Sequence, residues 1–299
     1  MIAYLQLVRL PTVFTAMADI VLGFLLTHHE INAENWPRFV WLLVASCGLY
    51  LAGMVFNDVF DVKQDTEERP NRPIPSGRVS RNSAVIFGVI LMLIGVGAAE
   101  TVGTWSLVLA SCLVAAIFAY DSILKRTPLG PFGMGLCRFL NVLLGASDIP
   151  QLQWSEFVAS SPFWCALGLG TYIVGVTWFA RTEAKTSSRL QLVGAMLVVL
   201  GGIALLAWLT TTHVMHADNR MIVPLMFGMI AANVSLRAAT AIADPTPDHV
   251  QPMIPLMLLS YVMLCATLVY WHTGNGQYAL ATACLVIPAL LLKRVIPMT

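Results

Sequence analysis

The side chains most able to do chemistry lie in one segment, N-D-V-F-D-V-K-Q-D-T-E-E-R-P-N-R-P-I-P-S-G-R, running from Asn57 to Arg78. Asp58, Asp61 and Asp65 are three and four positions apart, and Asn57 precedes Asp61 by four, so a continuing helix carries all four on one face. Lys63 points elsewhere. Like charges at this spacing repel by about 0.2–0.5 kcal/mol per pair even in water, and by more at a membrane boundary. A hard cation between the carboxylates removes the conflict, and acidic oxygens with open coordination positions suit Mg2+ shared with a phosphate-bearing substrate. The plainer reading is a solvated acidic helix end. Against it, Asn57 and Asp58 follow directly on the apolar run L-A-G-M-V-F, where polar groups of membrane proteins are functional by default. Downstream, Pro70, Pro73 and Pro75 fix the path of the chain, while Arg72 and Arg78 present forked donors that match phosphate oxygens. Asp58, Asp61 and Asp65 are therefore the candidate metal ligands and catalytic groups, with Asn57 completing or orienting their shell.

The elements that must position these residues are set by composition. The 299 residues are 58% hydrophobic and 11% charged, a balance that leaves a soluble globule too much apolar surface to cover. The chain reads as all-α, a polytopic bundle of nine or ten transmembrane helices. Helices are predicted at 12–28, 37–58, 83–99, 104–121, 132–148, 162–180, 189–210, 220–238, 253–271 and 277–293. No soluble stretch or linker interrupts them, so residues 1–299 are expected to form a single membrane domain. The first run resembles a signal peptide, but His28, His29 and Glu30 stand where small residues would mark cleavage, and it is kept as a helix. All six cysteines fall inside apolar runs without metal-ligand spacing, which makes them core residues. A net charge of +1 argues against nucleic acid as a partner.

With Arg9 on the cytoplasmic side, the loops there also carry Lys63, Arg69, Arg72, Arg78, Arg81, Lys125, Arg126, Arg181, Lys185 and Arg189, joined by Arg237, Lys293 and Arg294. The opposite loops hold only Arg38 and Arg220 as cations. This is a strong positive-inside pattern, and the tail pair favours ten crossings over nine. His213, His216 and Asp218 fall on the outer side and read as loop residues. Arg138 and Asn141 sit one turn apart inside an apolar run, where an arginine costs about 2.5 kcal/mol or more unless it meets a partner or a polar cavity. Two roles stay open for them: a structural ion pair with Asp19, or holding diphosphate or acceptor.

N-D-x-x-D-x-x-x-D followed by R-P-I-P-S-G-R-V-S resembles the first aspartate-rich motif of the UbiA superfamily of intramembrane prenyltransferases. The opening R-L-P-T-V-F-T-A-M-A-D, the helix layout and the segment from Tyr120 to Arg126 extend the likeness over most of the chain. The resemblance implies a central cavity opening to the cytoplasmic side. It further implies a Mg2+-dependent prenyltransferase, transferring an alkyl group other than methyl from an isoprenyl diphosphate to a lipophilic acceptor such as an aromatic or quinone precursor. Tyr120 and Lys125 would line its polar cavity, with Lys125 on the diphosphate and Asp121 orienting it or approaching the metal. One departure stands out. The family's second aspartate-rich loop here reads F-A-R-T-E-A-K-T-S-S-R-L, with Glu183 as its only acid. Arg181 and Lys185 are expected to meet phosphate directly in its place, leaving Glu183 to help hold one ion.

The depleted loop also supports a competing expectation, a UbiA-like protein that binds or transports an isoprenoid or another metabolite without transfer. A CDP-alcohol phosphatidyltransferase ranks far lower, because the string D-G-x-x-A-R is missing. A soluble isoprenyl diphosphate synthase is excluded by hydropathy. Membrane lipid is the surrounding partner, and a bacterial inner membrane the expected location.

Overall fold

The computed structural model describes residues 2–148, 154–183, 185–213 and 219–295. The described residues contain helices and no strand: α1 (Ile2–Leu7), α2 (Val13–Leu25), α3 (Trp36–Phe60), α4 (Val62–Glu68), α5 (Arg81–Val102), α6 (Thr104–Ser122), α7 (Gly130–Gly145), α8 (Trp154–Ala159), α9 (Ser161–Ala180), α10 (Arg189–Thr212), α11 (Asn219–Ala243), α12 (Pro247–Val250), α13 (Met253–Thr273), α14 (Gly276–Cys284) and α15 (Val286–Val295). Every predicted apolar run is helical. Among the described residues seven helices are long and apolar enough to cross a membrane, and Leu10–Leu25 and Gly276–Leu292 are shorter apolar helical stretches. The chain is an integral membrane protein. The last predicted helix is two short helices meeting at Leu285. His216, Asp218 and the side chains of Arg220 and Lys293 lie outside the described residues.

Local signals set the helix ends. Pro37, Pro131 and Pro162 occupy the first turns of α3, α7 and α9, where a missing N–H costs nothing. The Ser80 side chain caps α5 by accepting from the Ser83 N–H, and Gly274, at φ 65°, closes α13 in the left-handed region. Outward faces are apolar as lipid requires: Ile86, Ile90 and Leu93 of α5 and Leu225, Met229 and Leu236 of α11 are all exposed. Asn233 and Arg237 share that exposed surface of α11.

Inside the bundle α3 packs along α5, α9 joins α7 to α10, and α13 touches α2, α9 and α11. The α2–α7 contact depends on glycine. A Cβ on Gly23 would stand 2.2 Å from the Val142 carbonyl oxygen, and one on Gly145 2.9 Å from Ile20 Cα. That close approach holds Asp19, one turn before Gly23, against Arg138 and Asn141. A smaller apolar cluster of Leu7, Val8, Val55, Val59, Ile74, Val79 and Ala84 pins α1 and the proline-rich loop onto α3 and α5. It is this cluster that carries Arg72 to the end of α3.

Candidate active site

The aspartate segment does not continue as one helix. Backbone φ −94° and ψ 4° at Asp61 separate α3 from α4, although the Asp65 N–H still bonds the Asp61 carbonyl at 2.8 Å. Asp58 and Asp65 share Arg72, whose Nη1 lies 3.3 Å from Asp58 Oδ1 and 2.7 Å from Asp65 Oδ2. Arg9 donates to the same Asp58 oxygen at 2.9 Å. Asp61 instead takes Lys125 Nζ at 2.7 Å, with Arg126 at 3.6 Å. Asp121 stands 3.8 Å from Lys125 and accepts from Asn57 Nδ2 at 2.8 Å. The expectation of three aspartates converging on one ion is thus corrected: they divide into an Asp58–Arg72–Asp65 group and an Asp61–Lys125–Asp121 group. Among the described residues no three acidic, histidine or cysteine side chains gather as metal ligands. The physical reasons are the break at Asp61 and the four cations close enough to neutralise the carboxylates one by one.

Donor chemistry still fits Mg2+ at one place. Asp61 Oδ1 is buried with no hydrogen-bond partner among the described residues. It belongs to the wall of a cavity of about 250 Å3 that Asn57, Asp121 and Tyr120 also line, an oxygen-rich surface of the kind a hard cation takes. Arg9, Arg69 and Arg72 face the same space, while Leu113, Ile117 and Met134 make its apolar side. Its remaining wall carries Tyr50, Arg138 and Asn141.

That wall is a finished network. Arg138 Nη1 meets Asp19 Oδ2 at 3.1 Å and Nη2 meets Thr15 Oγ1 at 2.7 Å, with the guanidinium 5.2 Å from the Tyr50 ring centre and 5.4 Å from that of Tyr261. Asn141 donates to Asp19 at 2.8 Å and accepts from Ser46 at 2.8 Å, and the Tyr261 hydroxyl donates to Asp19. Of the two roles left open for Arg138 and Asn141, the ion pair with Asp19 is formed, and both residues also border the cavity.

A second chamber of about 660 Å3 adjoins the first and shares Arg9, Arg69 and Arg72 with it; Glu183 and Thr15 are on its lining. Burial pushes the Glu183 carboxyl above its ordinary range, against the opposing pull of Arg69 and Arg9. Arg181 and Lys185 are not in either chamber, which corrects the expectation that they face phosphate here: Arg181 is exposed on a crevice between α7 and α9, and Lys185 is exposed. The turn explains it. Thr182 and Ser187 bond each other at 2.7 Å, Gln191 donates to Thr182 at 3.2 Å, and Gln251 donates to the Glu183 carbonyl at 3.2 Å. Arg78 is likewise a brace, donating to Gln6 at 2.7 Å, to the Asn71 carbonyl at 2.6 Å and to Ser76 at 3.0 Å.

Sequence reasoning missed Arg9 and Arg69 as site residues. Arg9 has φ 46°, the left-handed region, which a non-glycine residue with a Cβ enters only at a cost. Thr12 closes this kink through both its N–H and its hydroxyl on the Arg9 carbonyl, at 2.9 and 2.7 Å. The signal available was an arginine two residues before Pro11 at the mouth of a helix, opposite a run of acids.

The sequence and the helical fold have known relatives. The UbiA prenyltransferase family model matches residues 16–296, and the chain belongs to that family. It is 27% identical over 157 residues to the digeranylgeranylglyceryl phosphate synthase of Sulfurisphaera tokodaii, covering 51% of this chain and 54% of that protein. It is 36% identical over 94 residues to the protoheme IX farnesyltransferase of Francisella tularensis subsp. novicida, covering 30% and 33%. The chain thus spans about half the length, or less, of the curated relatives it matches. A UbiA homologue from Archaeoglobus fulgidus, solved bound to GPP and Mg2+, shares the fold with a TM-score of 0.64 at 13% identity, covering 94% of this chain and 99% of that one.

Proposed function

We propose that this chain, acting as one membrane domain, is a Mg2+-dependent intramembrane prenyltransferase that moves an isoprenyl group from an allylic diphosphate to a lipophilic acceptor, aromatic or quinone-type among the candidates. The observation that carries this reading is the cavity itself, with Asn57, Asp61 and Asp121 on one side, Arg9, Arg69 and Arg72 beside them, and an apolar wall beyond. Such a space suits a ligand with a charged head and a hydrocarbon tail. The Archaeoglobus fulgidus homologue, solved with GPP and Mg2+, supports the same assignment.

In this proposal Asp61, with Asn57 and Asp121 beside it, would hold the metal, which would neutralise charge on the departing pyrophosphate. Arg9, which pairs with Asp58, and Arg72, which pairs with Asp58 and Asp65, would turn toward phosphate oxygens, exchanging one set of charge-assisted bonds for another. Arg69, and Glu183 across the second chamber, complete the polar rim. The allylic C1–O bond breaks with its electron pair leaving on pyrophosphate. Leu113, Ile117 and Met134 exclude water from the cation left behind, and the aromatic ring of Tyr120 offers it electron density. The acceptor nucleophile then bonds to that carbon and sheds its proton. The mouth is assigned to the cytoplasmic face of a bacterial inner membrane, in keeping with the cations gathered there.

A second reading, binding or transport without transfer, is favoured by Glu183 standing as the one acid of the opposite loop. A single experiment separates the two. Purified protein in detergent, given Mg2+, a panel of allylic diphosphates and candidate acceptors, is expected to release pyrophosphate and form prenylated product. Mg2+-dependent binding of the diphosphate without release under every acceptor would select the second reading. No binding at all, or binding unchanged in Asp61→Ala, would defeat both.

A further inference from the structure

A cavity distinct from the two chambers runs along the outside of the bundle between α7 and α9, with a volume of about 650 Å3. Its walls include Phe132, Leu136 and Phe139 of α7 and Val174 and Trp178 of α9, and among the described residues its one charged member is Arg181. Phe132 is 62% exposed and Leu136 47%, so the crevice opens sideways to lipid. It is shut at the back where the two helices touch: a Cβ on Gly135 would stand 2.7 Å from the Gly170 carbonyl oxygen. Lining residues on α9 and its end run from Leu167 to Arg181. At 1.5 Å per residue those fourteen steps span about 21 Å, enough for a headgroup plus the roughly 15 Å of hydrocarbon in one leaflet.

Arg181 makes no ion pair with any described residue, and it lies at the same membrane face as the aspartates, on the loop that carries Glu183. We propose that this crevice is a binding site for one anionic phospholipid, its acyl chain along Leu136 and Val174 and its phosphodiester on the Arg181 guanidinium. Trp178, next to the charge, suits the boundary between headgroup and hydrocarbon. A single cation matches a singly charged phosphodiester. The isoprenyl diphosphate, with its higher charge, belongs in the chambers where Arg9, Arg69 and Arg72 converge. The site rests on the fold and on Arg181, and holds whether or not the chain transfers prenyl groups.

The test is native mass spectrometry of the full chain released from detergent, with phosphatidylglycerol or phosphatidylcholine of identical acyl chains. The wild type is expected to retain one phosphatidylglycerol in about fivefold preference, the factor that one cation near an anionic surface contributes. Arg181→Gln is expected to lose the preference while still binding either lipid weakly, and Leu136→Trp to reduce retention of both. Both positions are exposed, and an unchanged melting temperature without lipid establishes that the variants fold. Equal retention of the two lipids by the wild type, or a preference that survives in Arg181→Gln, would overturn the assignment. So would a dimer that Leu136→Trp disperses, since the crevice would then hold a second copy of the chain, or a crevice that retains an isoprenyl diphosphate in place of phosphatidylglycerol.

Discussion

Aspartate and arginine meet twice in this molecule, once deep between the helices and once at the mouth of the chamber. The deep pair is complete. Asp19 has no exposed surface, and it accepts from Arg138 and Asn141 of α7 and from Tyr261 of α13, while Ser46 of α3 satisfies Asn141. Four helices are therefore tied at one carboxylate. At the mouth, Asp58 and Asp65 hang on a shared guanidinium and Asp61 keeps a buried oxygen with no hydrogen bond among the described residues. The difference teaches that depth and residue type do not separate structure from function here. Completeness of the hydrogen bonding does, because a satisfied buried network resists exchange and a half-satisfied one invites a ligand.

The sharpest way to break this contrast is to cut the deep pair. Arg138→Met leaves Asp19 buried and unpaired, and is expected to cost about 3–5 kcal/mol, read as a large fall in melting temperature in detergent. Asp19→Leu added to Arg138→Met should recover most of that loss, since removing both charges is often close to neutral. An Arg138→Met protein as stable as the wild type would mean the network is no fastener. Next in size is Asp61→Ala at the mouth. Its melting temperature should stay close to that of the wild type, while Mg2+-dependent binding of an allylic diphosphate, measured by calorimetry, weakens by about 100-fold, or about 2.8 kcal/mol. A loss of stability without a loss of binding would place Asp61 with Asp19. Third comes Gly145→Val, which forces α2 and α7 apart and is expected to cost about 1–3 kcal/mol by overpacking. Because it moves Asp19 from Arg138, its effect should shrink in the Asp19→Leu, Arg138→Met background.

How far these two regions were legible in the sequence follows the same division. Hydropathy gave every apolar helix, because a lipid environment leaves the backbone few alternatives to helices. The Asp19–Arg138 pair was foreseeable from the cost of a charge at that depth, which forces a partner to exist nearby. At the mouth, spacing singled out Asp58, Asp61 and Asp65, yet misjudged their common face, since periodicity assumes a helix that runs on and Asp61 is where it breaks. The cations were harder still. Arg78, Arg181 and Lys185 share a residue type with Arg9, Arg69 and Arg72, and what distinguishes them is the direction of a loop. That direction is set by Gln6 holding Arg78, by the Thr182–Ser187 bond, and by a left-handed arginine at position 9. None of these is written in local periodicity.

Glu183 gives the finest probe of the contrast, and the smallest effect. Burial lifts its carboxyl above the ordinary value of 4.5, and Arg69 and Arg9 only partly oppose that. The native state therefore binds this proton more tightly than the unfolded chain does. The sign follows: its contribution is most favourable below about pH 4.5, and is lost as pH rises from there through the raised native value. Glu183→Gln keeps the neutral form at all pH values, so melting curves from pH 4 to pH 7 should show the wild type falling behind the glutamine variant across that window. Were the two arginines to govern instead, the wild type would gain on the variant over the same range, and Glu183 would count as a satisfied ion pair like Asp19. The expected fall marks it as one more incompletely paired acid at the mouth, where a divalent ion or a phosphate-bound cation has something left to satisfy.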